Sequence, residues 1–431
     1  MSKQPVVNIN ANHLTLLLIL AYSGTFMGRQ IMSVMIEPIK TEFQASDTVI
    51  GIIAGLAFAV VYAASGLYAG RLSDRFSRTR ILAICLLLWS FATIFSGLAT
   101  GLVMLACGRM IVAAMESATT PASLSLISDL YPPAKRAAPI SLYSGAPTIS
   151  IILGLSVGAW VIDNYGWRAG FFFSAAPILV MSVILLLTAK EPERGKWEPK
   201  GNLQAEHGSL LNSLTIIVKN KQCFWLVLST SFGSFCAFSF VTWNTPFLVR
   251  SHNLELQDAG ILVGMITGAT ALIGTLFIGW FTGFMMRFNR AWLIRIPIIG
   301  NILNLIATVI YLFSPPQIAF EVAGIAVPTA MGWCVLAGFF SAFWLGPSLT
   351  LLTTLVSPHE LSTTFAIQNI SGTVAGAGLG PFIPGILSDL LTPVYGDEAL
   401  RFALVISISF ALVPIVILGG LHYQGAGTEH S

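Results

Sequence analysis

The apolar residues of this chain gather into long runs, and short polar joints punctuate them. Twelve runs can be counted, centred near Tyr22, Ala59, Leu88, Met115, Ile151, Leu179, Phe235, Ile266, Leu303, Leu336, Ala375 and Phe410. Each supplies about 20 residues, the length a helix needs to cross the hydrocarbon core of a bilayer. One polar stretch is long, Lys190 to Lys221, and it divides the runs six and six. Its glycine, proline and mixed charge read as a connector. The pattern predicts an all-α polytopic membrane protein with twelve transmembrane helices in two six-helix halves. The halves would be residues 1–189 and 222–431, with a cytoplasmic linker over 190–221.

Composition sharpens this picture. Hydrophobic residues make up 55% and charged residues 10%, against about 25% charged in an ordinary soluble domain. A soluble enzyme is excluded. The net charge of +3 says less than where the charge lies. With the amino terminus inside, the inner segments carry Lys3, Arg71, Arg75, Arg78, Arg80, Lys135, Arg136, Lys190, Arg194, Lys196, Lys200, Lys219, Lys221, Arg287, Arg290 and Arg295. The outer segments carry only Lys40, Arg168, Arg250 and Arg401. This positive-inside bias predicts a cell-membrane protein with both termini cytoplasmic. Met1 to Asn12 is polar and leads into a long run with no small-residue cleavage site, so no cleaved signal is expected. The five cysteines all fall in apolar runs and read as packing residues. No metal set, cofactor motif or phosphate-binding Gly-Lys-Ser/Thr loop is apparent.

The halves echo each other weakly. Ser128-Asp129-Leu130-Tyr131-Pro132-Pro133 is matched by Thr353-Thr354-Leu355-Val356-Ser357-Pro358. Gly154 to Gly158, Asp163 and Trp167-Arg168-Ala169-Gly170-Phe171 are matched by Gly380 to Gly385, Asp389 and Leu400-Arg401-Phe402-Ala403. Parallel duplication of six spans is a transporter architecture whose site lies at mid-membrane between the halves.

Candidate chemistry is sparse. Glu116 is the one acid near the middle of an apolar run, and Arg109 lies seven residues earlier, on the same helical face. A charge at mid-membrane costs at least about 2.5–3.5 kcal/mol, so such residues face a watery cavity or a partner. Arg29 should lie about 10 Å below the outer surface, reckoned at 1.5 Å per residue. It can bind an anionic group bidentately, pair with Glu116, or snorkel outward. Trp243, Asn244, Phe58, Tyr62, Phe343 and Trp344 are candidate cavity residues. No second catalytic carboxylate, histidine or metal set accompanies Glu116, so a membrane enzyme is disfavoured.

One loop is specific. Gly70-Arg71-Leu72-Ser73-Asp74-Arg75-Phe76-Ser77-Arg78-Thr79-Arg80, between the second and third runs, resembles the G-x-L-x-D-R-x-x-R-x-R loop of the major facilitator superfamily. A finer resemblance is to the spinster-like group. It rests on Arg29-Gln30-Ile31, Glu116 followed by Pro121, Ser128-Asp129 with Pro132-Pro133 and Arg136, and Gly166-Trp167-Arg168. Further support comes from Trp243 with Phe247-Leu248-Val249-Arg250-Ser251-His252, and Gly380-Pro381 with Ser388-Asp389. That group usually has aspartate where this chain has Gly28, and glycine where it has Met115.

The resemblance implies the major facilitator fold, with Gly70, Asp74, Arg75 and Arg78 in a cytoplasmic gate. It implies a secondary transporter moving a small organic solute, anionic or amphiphilic, by alternating access. The animal members it resembles export lysolipids. Arg29, Glu116, Arg109 and Trp243 are the expected substrate-binding or proton-coupling residues, with protons and the bilayer as further partners, no nucleic acid, and a monomeric chain. Gly28 keeps an uncoupled facilitator open. A channel lacks a ring of like charges or a filter sequence.

Overall fold

A computed structural model describes residues 10–197, 220–356 and 361–423. Ten helical stretches follow in order: α1 (Ala11–Phe43), α2 (47–75), α3 (Arg78–Gly97), α4 (Leu102–Leu130), α5 (Ala138–Tyr165), α6 (Trp167–Thr188), α7 (Lys221–His252), α8 (Leu256–Met285), α9 (Trp292–Phe313) and α10 (Ala330–Leu355). The last apolar stretch, Thr364–Tyr423, has 60 residues. A straight helix of that length would span about 90 Å, three times the hydrocarbon core. It therefore folds back at Gly396, whose φ is +55°. The result is α11 (364–395) and α12 (399–423), completing twelve spans.

Several spans are interrupted. α1 has a turn at Ile31, α4 at Ser117–Ala118, and α10 over 341–344. Wide π-helical turns occupy Ile52–Leu56 of α2, Leu153–Val157 of α5 and Val374–Leu379 of α11. Such turns often mark functional positions. Here all three lie on spans that cross between the halves, where α2 packs on α11 and α5 on α8. Glycines bring the backbones together there. A Cβ on Gly55 would meet the Gly378 carbonyl oxygen at 2.6 Å, and one on Gly264 would meet Ser156 Oγ at 2.5 Å.

One element carries no signal in the apolar pattern. Between α9 and α10 a short hairpin pairs β1 (Ile318–Val322) with β2 (Ile325–Pro328), antiparallel. Ala323 and Gly324 both have positive φ, +53° and +82°, the geometry of a two-residue hairpin turn.

The cores reveal how the halves meet. At the end of the bundle away from Asn10 and Tyr423, one core mixes both halves: Ile31, Met35, Ile162 and Phe171 join Trp243, Phe247, Tyr311 and Leu404. Towards those two residues the cores separate. Leu18, Leu86 and Leu126 belong to one, and Leu226, Ile294 and Leu418 to another. The halves are thus packed together at the far end and apart at the near end.

Candidate functional site

Glu116 closes the first segment of α4, just before the Ser117–Ala118 turn. Thr119 Oγ1 donates to the Glu116 carbonyl and steadies that turn. Arg29 Nη2 donates to Glu116 Oε1 at 2.5 Å, and the two side chains are 16% and 4% exposed. Glu116 Oε2 and Arg29 Nε have no hydrogen-bond partner. Aromatic rings surround Arg29: its guanidinium lies 4.9 Å from the Phe58 centroid, 5.5 Å from Phe26 and 5.7 Å from Tyr62. Tyr22 stacks on Tyr143 beside them, at 4.5 Å.

Arg109 is buried, and its Nε and Nη2 are unpartnered. The shared helical face does not bring it into a bond with Glu116. Its guanidinium instead sits 5.3 Å from the same Phe58 ring. Two guanidiniums therefore share one carboxylate's neighbourhood, an arrangement with excess positive charge in a poorly solvated place.

The helix that carries Arg29 continues past the turn at Ile31 through a second segment, Met32–Phe43, which brings in Glu37, Lys40 and Glu42. A void of about 20 Å³ touches Arg29 and is closed by Phe58 from one half and Phe238, Thr242 and Pro381 from the other. It has room for about one water.

Gly28 is accounted for by packing. A Cβ there would meet the Trp89 ring at 2.7 Å, so an acid at this position would displace the α3 tryptophan.

A cavity of about 690 Å³ lies elsewhere. It is built mostly from α7, α8, α9 and α10, with Asn301, Asn304, Thr308 and Trp344 among largely apolar walls. It extends towards Gly283 and Met286, at the near end. α7 separates it from Arg29: Phe240 and Val241 face the cavity, whereas Phe238 and Thr242 face the small void.

The far end is clasped across the halves. Arg250 of α7 binds both oxygens of Asp47 at 2.7 and 2.8 Å and reaches Glu37 at 2.6 Å. Lys40 and Ser388 also bind Asp47, each at 2.7 Å. Asp389 of α11 accepts from the Asp47 and Thr48 amides at 3.0 and 2.7 Å, using the unpaired donors at the start of α2.

The near end holds a clamp within one half. Arg78 binds Asp129 at 2.5 Å, Glu191 at 2.7 Å and Ser125 at 2.8 Å. Burial pushes the Glu191 carboxyl up, but donors from Thr79, Arg78 and Ser77 outweigh it and hold it below the usual glutamate range.

The expected residues thus fall in several separate places. Arg29, Glu116, Phe58 and Tyr62 come together, with Arg109 beside them. Trp344 lines the cavity, whereas Phe343 packs in an aromatic cluster. Trp243 lines neither cavity: it is fully buried at the far end and donates to the Pro381 carbonyl at 2.9 Å. Asn244 is buried against Tyr311. Arg78 is placed, while the side chains of Gly70, Asp74 and Arg75 lie outside the described residues. Tyr22, Phe26 and the Asp47 cluster went unnoticed in the sequence, because they join residues distant in the chain.

Two six-helix halves, closed at one end and carrying a mid-depth ion pair, define a solute transporter of the membrane. The chain belongs to the Major Facilitator Superfamily, whose family model matches residues 18–381, and within it to the spinster-like group. It is 30% identical over 394 residues to an MFS-type efflux pump of Mycolicibacterium smegmatis, covering 91% of this chain and 88% of the relative. It is 24% identical to the sphingosine-1-phosphate transporter SPNS2 of Danio rerio, covering 92% and 80%. A solved bacterial homologue of the human lysosomal transporter Spinster, inward-facing and unoccupied, superposes with a TM-score of 0.84 at 24% identity, covering 98% of each chain.

Proposed function

We propose that this protein is a proton-driven secondary transporter that moves a small amphiphilic solute with an anionic group by alternating access. The observation that carries the reading is the buried Arg29–Glu116 pair, whose carboxylate keeps one oxygen open. Protonation of Glu116 would release Arg29, and a freed guanidinium binds anions well. The largely apolar cavity would take the solute's tail. Because α7 stands between cavity and arginine, the solute reaches Arg29 only as α7 moves, which ties binding to rocking of the halves.

The near end, with both termini, is read as cytoplasmic on the positive-inside count. The conformation is then inward-facing, with the Asp47–Arg250–Asp389 clasp as the closed outer door. Gly70, Asp74, Arg75 and Arg78 remain the proposed inner gate, and the chain is read as a monomer. The names of the relatives, an efflux pump and a sphingosine-1-phosphate transporter, support export of an amphiphile.

An uncoupled facilitator is the second reading, favoured by Gly28, which removes an acid that similar proteins carry. Proteoliposomes holding the purified protein, given labelled lysolipids or other amphiphilic anions with and without a pH gradient, separate the two. Accumulation against the solute gradient only when the pH gradient is present supports coupling. Equilibration alone, unaffected by pH gradient, supports the facilitator.

A further inference from the structure

Phe58 is 1% exposed and stands between Arg109, which is buried, and Arg29, which is partly buried, on two different spans. The Arg29 guanidinium lies 4.9 Å from its centroid and that of Arg109 5.3 Å. Tyr62, one turn further along α2, is near-parallel to Phe58 at 6.0 Å and lies 5.7 Å from the Arg29 guanidinium. Arg109 Nε and Nη2 have no hydrogen-bond partner, and the guanidinium lies against the ring. Cation–π attraction strengthens when water is excluded, as it is here.

Simple electrostatics would have both arginines seek the one carboxylate. Arg109 is seven residues from Glu116 on the same helix, about 10 Å along the axis and within the face-sharing register. Yet only Arg29 binds Glu116, and Oε2 stays unpartnered. Apolar packing accounts for a phenylalanine at this place, but not for two guanidiniums within range of its one ring.

We propose that Phe58 is a positioning residue for the Arg29–Glu116 pair. Its ring holds Arg109 off the carboxylate, leaving Glu116 one arginine partner on Oε1 and an open Oε2 to take and release the proton. The charged and titratable groups around Glu116 are then Arg29, Arg109, Tyr22 and Tyr62, with Phe58 as the spacer among them. This inference rests on the reading of Glu116 as proton carrier.

The test replaces Phe58 with phenylalanines carrying one, two and three ring fluorines, which drain the π face while nearly keeping the shape. Full-length protein in proteoliposomes is assayed with labelled lysolipid for proton-driven accumulation and for exchange without a gradient. Accumulation of labelled lysolipid should fall stepwise with fluorination, by at least fivefold for the trifluoro ring, and by several-fold more than exchange falls. Phe58→Leu should behave like the trifluoro ring. Accumulation indifferent to fluorination, or accumulation and exchange falling together, overturns the proposal in favour of plain packing.

A second arm does not depend on coupling. A double-mutant cycle of Phe58→Leu with Arg109→Gln, or with Arg109→Lys if the glutamine variant does not fold, is read by thermal unfolding. Non-additive melting temperatures show that ring and guanidinium interact; additivity overturns the proposal. A wild type that never accumulates solute with a positive cycle would fault the coupling reading, not the contact.

Discussion

Single residues act here through what surrounds them. Glu191 is a surface-side example that can be checked by pH. Its folded carboxyl lies below the ordinary glutamate range, so its stabilising contribution is complete above that range and is lost as pH falls through the depressed folded value. The melting temperature of the wild type should therefore drop on acidification below about pH 4, and Glu191→Gln should flatten that drop. At neutral pH the same variant should lose about 1.5–3 kcal/mol, the worth of a hydrogen bond to a charged group. An unchanged acid limb would mean the Arg78 clamp contributes nothing. The sequence made Glu116 and Arg29 legible because an isolated charge in an apolar run is conspicuous. It could not show their pairing, nor that Arg109 would turn to Phe58, since those outcomes depend on rings brought in from α2. Trp243 misled for the opposite reason: an aromatic in an apolar run looks the same whether it faces a cavity or a packed far end.

Helices and their seams carry the next level. Gly264 of α8 lies so close to α5 that a Cβ would meet Ser156 Oγ at 2.5 Å and Leu155 Cβ at 2.8 Å. Gly264→Val should wedge that seam and disfavour the conformation described here. Spin labels placed across the far end of α5 and α8 should report longer separations, and unchanged distances would refute a tight-seam role. The far-end clasp predicts a related effect. Arg250→Ala leaves Asp47 and Glu37 without their shared guanidinium. Losing about 1.5–3 kcal/mol of charged hydrogen bonding shifts a two-state ratio by about ten- to a hundredfold. Far-end cysteines should then label faster in Arg250→Ala than in the wild type; equal rates would show that the clasp does not hold the door. The long apolar runs announced these helices, whereas the hairpin escaped because Ala323 occupies a backbone conformation usually left to glycine or asparagine.

At the scale of the molecule, the shared core at one end and the divided cores at the other describe a bundle caught with one door shut. Which side of the membrane that door faces is set by arginines and lysines in the joints. An impermeant thiol reagent applied to cells should label Glu321→Cys on the hairpin and spare Glu193→Cys beside α6; the reverse would invert the topology. The twelve-span plan was legible because bilayer thickness fixes helix length. The closed end was not, because it is assembled from Asp47, Arg250 and Asp389, which are about 140 to 340 residues apart and meet only when the halves pack. The claim on which the rest depends is that Glu116 carries the driving proton, and Glu116→Gln in proteoliposomes tests it most directly. The account predicts folded protein that still exchanges solute across the membrane but no longer accumulates it under a pH gradient. Accumulation equal to that of the wild type would contradict it.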